Sequence, residues 1–390
     1  MRRIYLDNCS TSYPKATGVA EAMSFYLTEV GCNIGRGNYS EAYDATMIAY
    51  ETRNAIAELV NYKDPKNVIF TQNITQSLNT IIKGYLKSGD HVLVSSMEHN
   101  AMMRPMAQME KKGVMFDRIP CDEFGYVELE TIPTMIKENT KAIFMLHSSN
   151  VCGTIMDFES VGRIAKEHKL TFVADVAQTL GTVPVDMERM NIDILCFTGH
   201  KSLRGPQGIG GFVIRDEYVN EVEPLISGGT GSKSDSEEVP NFLPDRFESG
   251  TMNLPGIYGL HAALKECKKH NPSELLRREQ QLIEKLQNGI EKISGIRIVG
   301  EPDPYKRCPI LAIDFETYDN AEIGFQLEAN YGIMTRCGLH CAPYAHRTLG
   351  TFPQGIVRFS CGPTTTEEEI EIAIEAIKEL CDVKNTNHAE

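Results

Sequence analysis

The sequence predicts an α/β protein: a large domain on a mostly parallel, seven-stranded sheet, followed by a smaller α+β domain. Three observations carry this reading. Seven short apolar runs lie between residues 67 and 214, and helical patterns separate several of them. Strand–helix–strand alternation of this kind indicates a parallel sheet covered by helices on both faces. After about residue 260 the texture changes to charged helical patterns around a few strand-like runs. The length, 390 residues, suits two or three domains at ~100–200 residues each.

The strand candidates are, in order, NVIFTQ (67–72), HVLVSS (91–96), VMFDRI (114–119), KAIFMLHS (141–148), TFVADV (171–176), DILCFTG (193–199) and GGFVI (210–214). Helical patterns fill 75–86 and 159–169. The gap between 193–199 and 210–214 is too short for a helical crossover, so that pair is expected to be antiparallel. Residues 227–246 are rich in Gly, Ser and Asp and read as a surface loop. A charged helix over 274–293 then precedes the strand-like runs IRIVG and PILAIDF. The last strand, GIVRFSC (355–361), leads to an acidic helix over 364–380. Thr366 followed by Glu369 fits a capping box there.

Composition narrows the function classes. Hydrophobic residues make up 42% and charged residues 24%, which are ordinary globular values. The net charge of −14 disfavours nucleic acid and anionic membrane surfaces as partners. No apolar run approaches the ~20 residues needed to span a bilayer. The opening MRRIYLDNCS has only a three-residue apolar stretch and does not read as a signal peptide. Eleven scattered cysteines, an odd number, then read as free thiols of a cytoplasmic protein.

Several candidate groups follow strand ends, where ligands sit in parallel α/β sheets. Lys201, in FTGHKSLRGPQGIGG, lies in a polar turn after a strand, with Thr198 and His200 just before it. A lysine held off solvent and aimed at a carbonyl can form a Schiff base, whereas a solvated loop lysine is the bland alternative. Asp175 ends another strand, with Gln178 three residues on. A carboxylate there can keep a pyridine nitrogen protonated, or it can be an N-cap. Residues 73–77 (NITQS) open a helix, where the backbone N–H groups and the Thr75 hydroxyl suit a phosphate. His99 in SSMEHNA and Asn150 in HSSNVCGT also follow strands. Cys341 sits among Arg336, His340, His346 and Arg347, and positive neighbours favour the nucleophilic thiolate. Cys337, His340 and Cys341 offer only three metal ligands without paired spacing, so no metal is expected.

Together these segments resemble the class V aminotransferase superfamily of fold-type I pyridoxal 5'-phosphate enzymes. Within it the sequence is most similar to cysteine desulfurases and selenocysteine lyases of the group II branch. The matching stretches include YLDN, GRGNYSEAYDAT (35–46), SSMEHNA, HSSNVCGT, DVAQ, TGHKSLRGPQGIG, RFESGTMN (246–253) and RCGLHCAP (336–343), in the family's order over nearly the whole chain. The resemblance implies that Lys201 bears the cofactor, Asp175 pairs with its ring nitrogen, Gln178 meets its phenolic oxygen and His99 stacks on the ring. The phosphate would be held by Thr75, the backbone at Ile74, Thr198 and His200, with Thr251 reaching it from the neighbouring subunit of a homodimer. Asn150, Arg336 and Arg358 would bind the substrate carboxylate, and Cys341 would accept sulfur from L-cysteine, with L-selenocysteine as a second candidate substrate. A sulfur-acceptor protein would follow. Another enzyme of the family, an aminotransferase or C–S β-lyase with a non-catalytic Cys341, is the alternative. The implied domains are an N-terminal segment, 1–20, packed with the small domain; a large cofactor domain, 21–260; and a small domain, 261–390, carrying the Cys341 loop.

Overall fold

The structure is a computed structural model and describes residues 3–35 and 37–387. Arg36, inside the 35–46 motif, lies outside the described residues, as do 1–2 and 388–390.

The large sheet uses β2 (Val68–Thr71), β3 (His91–Ser95), β4 (Met115–Ile119), β5 (Thr140–Leu146), β6 (Thr171–Asp175), β7 (Ile194–Thr198) and β8 (Gly210–Ile214). Their order across the sheet is β2-β8-β7-β6-β5-β3-β4. All pairings are parallel except those of β8, which runs antiparallel to both β2 and β7. The expected antiparallel pair is therefore present. The central strands β5 to β8 are apolar on both faces because helices cover both sides. The helices of this part are α1 (Val19–Phe25), α2 (Ser40–Leu59), α3 (Ile74–Tyr85), α4 (Asn100–Glu110), α5 (Ile132–Met135), α6 (Phe158–Glu167) and α7 (Leu254–Cys267). Residues 227–246 contain neither helix nor strand.

Beyond α7 come α8 (Pro272–Ile290), β9 (Ile296–Val299), β10 (Ile310–Phe315), α9 (Asn320–Tyr331), β11 (Ile333–Met334), β12 (Arg336–Gly338), α10 (Pro343–Thr348), β13 (Ile356–Ser360) and α11 (Glu367–Asn387). Four of these strands form an antiparallel sheet in the order β12-β13-β10-β9. The capping box at α11 is reciprocal: Glu369 N–H donates to Thr366 Oγ1 at 3.2 Å, and Thr366 N–H donates to Glu369 Oε2 at 3.0 Å. The N-terminal strand β1 (Ile4–Tyr5) pairs in parallel with β11, and Asp7 bridges to Ser360. Ile4 and Leu6 are buried in the same apolar cluster as Leu311, Val357 and Ile377.

Candidate active site

The parallel sheet gathers its strand ends on one edge. Thr71, Ser95, Leu146, Asp175 and Thr198 are the last residues of β2, β3, β5, β6 and β7. The antiparallel β8 begins there with Gly210, whose missing Cβ leaves room for the Asn73 backbone; a Cβ would stand 3.0 Å from Asn73 Cα. The segments that follow these ends surround a cavity of about 340 Å³. Ile74, Thr75, His99, Asn150, Asp175, Gln178, Thr198, His200, Lys201, Arg336, Cys341 and Arg358 all line it. Thr251 does not. It is exposed in a separate recess beside Gln72 and Gln76.

Each side chain has a definite environment. Asn73 caps α3 by accepting from Gln76 N–H, which leaves the N–H groups of Ile74 and Thr75 free at the helix start. Thr198 Oγ1 is buried without a hydrogen-bond partner. His200 Nδ1 lies 3.0 Å from Thr11 Oγ1, and burial lowers its pKa to about 4. His99 caps α4, its Nδ1 accepting from Ala101 N–H at 3.0 Å. Burial first, then the charge of Lys201, lowers its pKa to about 3, so the ring is neutral with its proton on Nε2. Burial raises the Asp175 carboxyl, opposed by an Ala177 N–H donated to Oδ1 at 2.9 Å and by Lys201. Burial likewise lowers Lys201.

The small domain supplies the positive charge. Arg358 is buried, donating through Nη2 to Asp7 at 2.9 Å and to Ser10 at 2.7 Å, with its Nε–H unpartnered. Arg336 donates to Ser10 Oγ at 3.0 Å and has no carboxylate partner among the described residues. Its Nη2 stands 3.9 Å from Cys341 Sγ. Cys341 is exposed at the rim, and both it and His340 hold left-handed backbone, at φ 57° and 49°. Two hydrogen bonds pin this turn: Asn100 N–H to Cys341 O and Asn150 Nδ2 to His340 O, each 2.7 Å. The amide donor of Asn150 is thus engaged by the turn, while its Oδ1 is unpartnered. Cys337 lies away from the cavity, with its sulfur against Gly324 of α9.

Two lining residues, Cys9 and Ser10, and one buried neighbour of the site, Glu98, had escaped the sequence reading. Cys9 Sγ donates to Gln178 Oε1 at 3.2 Å, and Ser10 links Asp7 to both arginines. Glu98, beside His99, is fully enclosed, accepting from Ser95 and from Leu146 N–H at the ends of β3 and β5. The first two follow the short run IYL in the YLDN stretch, a polar turn after a strand-like start.

The sequence pattern described as Aminotransferase class-V matches residues 4–372. A probable cysteine desulfurase of Methanothermobacter thermautotrophicus is 31% identical over 97% of this chain and 94% of its own length. One from Pyrococcus abyssi is also 31% identical, with the same coverage. The apo structure of a cysteine desulfurase from Thermococcus onnurineus superposes with a TM-score of 0.91 at 29% identity, covering 97% of this chain and 95% of that one. The Escherichia coli cysteine desulfurase CsdA, solved with an S-sulfonic acid, gives 0.88 at 26% identity over 97% and 94%.

Proposed function

From the premise that this chain belongs to the class-V aminotransferase family, we infer that it is a pyridoxal-phosphate-dependent cysteine desulfurase. The observation that carries the reading is the placement of Cys341. Its exposed thiol sits at the rim of the cavity that Lys201 and Asp175 line, beside an arginine with no carboxylate partner.

The donor set fits the cofactor. A buried, unpartnered Thr198 hydroxyl and the free N–H groups of Ile74 and Thr75 suit its phosphate. The Asp175 carboxyl, raised by burial, would hold a protonated ring nitrogen as its counter-charge. Neutral His99 would present a ring for stacking, and Gln178, which lines the same cavity, would hydrogen-bond the phenolic oxygen. Bound pyridoxal phosphate supplies an electron sink for charge developing on the substrate carbon.

The chain's own groups do the rest. Arg336 and the free Nε–H of Arg358 hold the substrate carboxylate, while Asn150 holds the Cys341 turn in place. Lys201, lowered by burial, is a competent base and moves the substrate's protons at its Nζ. Cys341 Sγ attacks the substrate sulfur. One C–S bond breaks and one S–S bond forms, so L-cysteine plus thiol become L-alanine plus a Cys341 persulfide. An acceptor protein then takes the sulfur. L-selenocysteine presents the same recognition groups and is the second substrate of this reading.

The exposure of Thr251 outside its own subunit's cavity supports a homodimer, in which a neighbouring subunit would bring it to the phosphate. Eleven free cysteines support a cytoplasmic setting. No helix among the described residues is long and apolar enough to cross a membrane.

The test is turnover of L-cysteine by the holoenzyme, with alanine and enzyme-bound sulfane sulfur measured together. We expect equal amounts of each in a single turnover. Cys341→Ser should lose persulfide formation by two orders of magnitude or more, with the cofactor's absorbance retained, and Cys337→Ser should keep most of it. Pyruvate as the product, or full turnover by Cys341→Ser, would make the chain a lyase of the same family instead.

A further inference from the structure

Cys9 and Gln178 are 169 residues apart in the chain, and both line the active-site cavity. Two hydrogen bonds link them. The Cys9 thiol donates to Gln178 Oε1 at 3.2 Å, and Gln178 Nε2 donates to the Cys9 carbonyl oxygen at 3.3 Å. Both residues are buried, at 6% and 8% exposure. A side-chain amide carries two N–H donors and one acceptor oxygen. The Cys9 carbonyl takes one of these donors, and Nε2 makes no other hydrogen bond among the described residues. Turning the amide over would set its oxygen against the Cys9 carbonyl, two acceptors face to face. The pair therefore selects one orientation of the Gln178 amide and leaves one N–H to give.

Cys9 is itself held in place. Its N–H donates to Ser360 Oγ at 2.9 Å, on the last residue of β13. On either side of it, Asn8 N–H donates to Ser360 O at 3.4 Å and Ser12 N–H donates to His200 O at 3.0 Å. The main chain of Gln178 is fixed as well, its carbonyl accepting from Ser202 Oγ at 2.8 Å. The thiol has a second acceptor nearby, Asn150 O, at 3.7 Å. That carbonyl is farther away and already accepts from Arg358 Nη1 at 2.7 Å. The thiol proton accordingly goes to Gln178.

We propose that Cys9 is a positioning residue for Gln178: its thiol and carbonyl hold the amide so that the remaining Nε2–H is offered to the cofactor's phenolic oxygen. The inference rests on the reading of the cavity as a pyridoxal-phosphate site. A hydrogen bond donated to that oxygen draws charge off it, so it holds less tightly the proton of the Lys201 nitrogen beside it. An amide free to turn gives up this effect, and the cofactor's absorbance would then titrate at higher pH. A direct action of Cys9 would look different. Among the charges bearing on Lys201, Cys9 comes first and raises it, so loss of that charge alone would move the midpoint down.

The experiment titrates the absorbance of the reconstituted holoenzyme against pH, without substrate. Cys9→Ala should move the midpoint up by about 0.4–1 pH unit, the worth of one net hydrogen bond. Cys9→Ser keeps a donor for Oε1 and should titrate close to wild type. In a Gln178→Ala background, Cys9→Ala should add no further shift, because one residue acts through the other. A Cys9→Ala midpoint equal to or below wild type, the same upward shift in Cys9→Ser, or full additivity with Gln178→Ala would overturn the inference and leave the cofactor reading intact. Wild-type protein that takes up no pyridoxal phosphate would overturn both.

Discussion

Glu98 shows how a single carboxyl ties stability to pH. Its Oε1 accepts from Ser95 Oγ and Leu146 N–H, its Oε2 has no partner, and burial raises its pKa from 4.5 to about 8. Between those values the folded state keeps a proton that the unfolded chain has released. Stability is therefore greatest at low pH for this group, falls by about 1.4 kcal/mol per pH unit across the interval, and levels off above about pH 8. Glu98→Gln removes the titration and keeps the shape. Denaturant unfolding at pH 5 and pH 8 should show the variant gaining up to about 3 kcal/mol on wild type between the two; a constant difference would refute this. Sequence reading reached His99, one residue away, because a histidine after a strand is visible as a motif. It passed over Glu98 because burial depends on β3 and β5 lying side by side. Cys9 and Ser10 were missed for a related reason. They meet Gln178 and Arg336 only because β1 pairs with β11, more than 300 residues along the chain.

Packing between α9 and β12 turns on one missing side chain. A Cβ on Gly324 would stand 2.1 Å from Cys337 Sγ and 3.7 Å from its Cβ. Gly324→Ala should therefore cost about 1–3 kcal/mol through overpacking. In a Cys337→Ala background the clash disappears and the same change should be nearly neutral, because alanine favours the helix interior over glycine. Thermal denaturation of the four proteins forms a double-mutant cycle, and additive effects would rule out the contact. At this scale much was legible. The seven large-sheet strands fall within two residues of their expected ends, because two-sided burial leaves short apolar runs that turn residues bound. α2 and α9 were not legible as helices. α2 turns Tyr43, Met47 and Tyr50 outward, and α9 turns Phe325 outward, so neither shows a clean polar face.

The outward row on α2, continued by Tyr39 just before it, repeats at helical spacing and forms an exposed apolar stripe of the kind the proposed homodimer would cover. A composite site makes a sharp prediction for the whole molecule. Lys201→Ala retains Thr251, and Thr251→Asp retains Lys201, so mixed dimers should assemble one intact site from two defective chains. Activity should appear on mixing under subunit exchange, and sedimentation should report twice the chain mass of 43.5 kDa. An active monomer, or no activity on mixing despite exchange, would dismiss the arrangement. The turn at His340 and Cys341 then sets the terms of delivery. Its paired left-handed residues are tied on both sides, to Asn100 and to Asn150. Such a turn has no slack with which to ferry its cargo outward. On the desulfurase reading proposed above, sulfur would change hands at the rim itself, and the receiving thiol would have to travel inward on a protrusion of its own carrier.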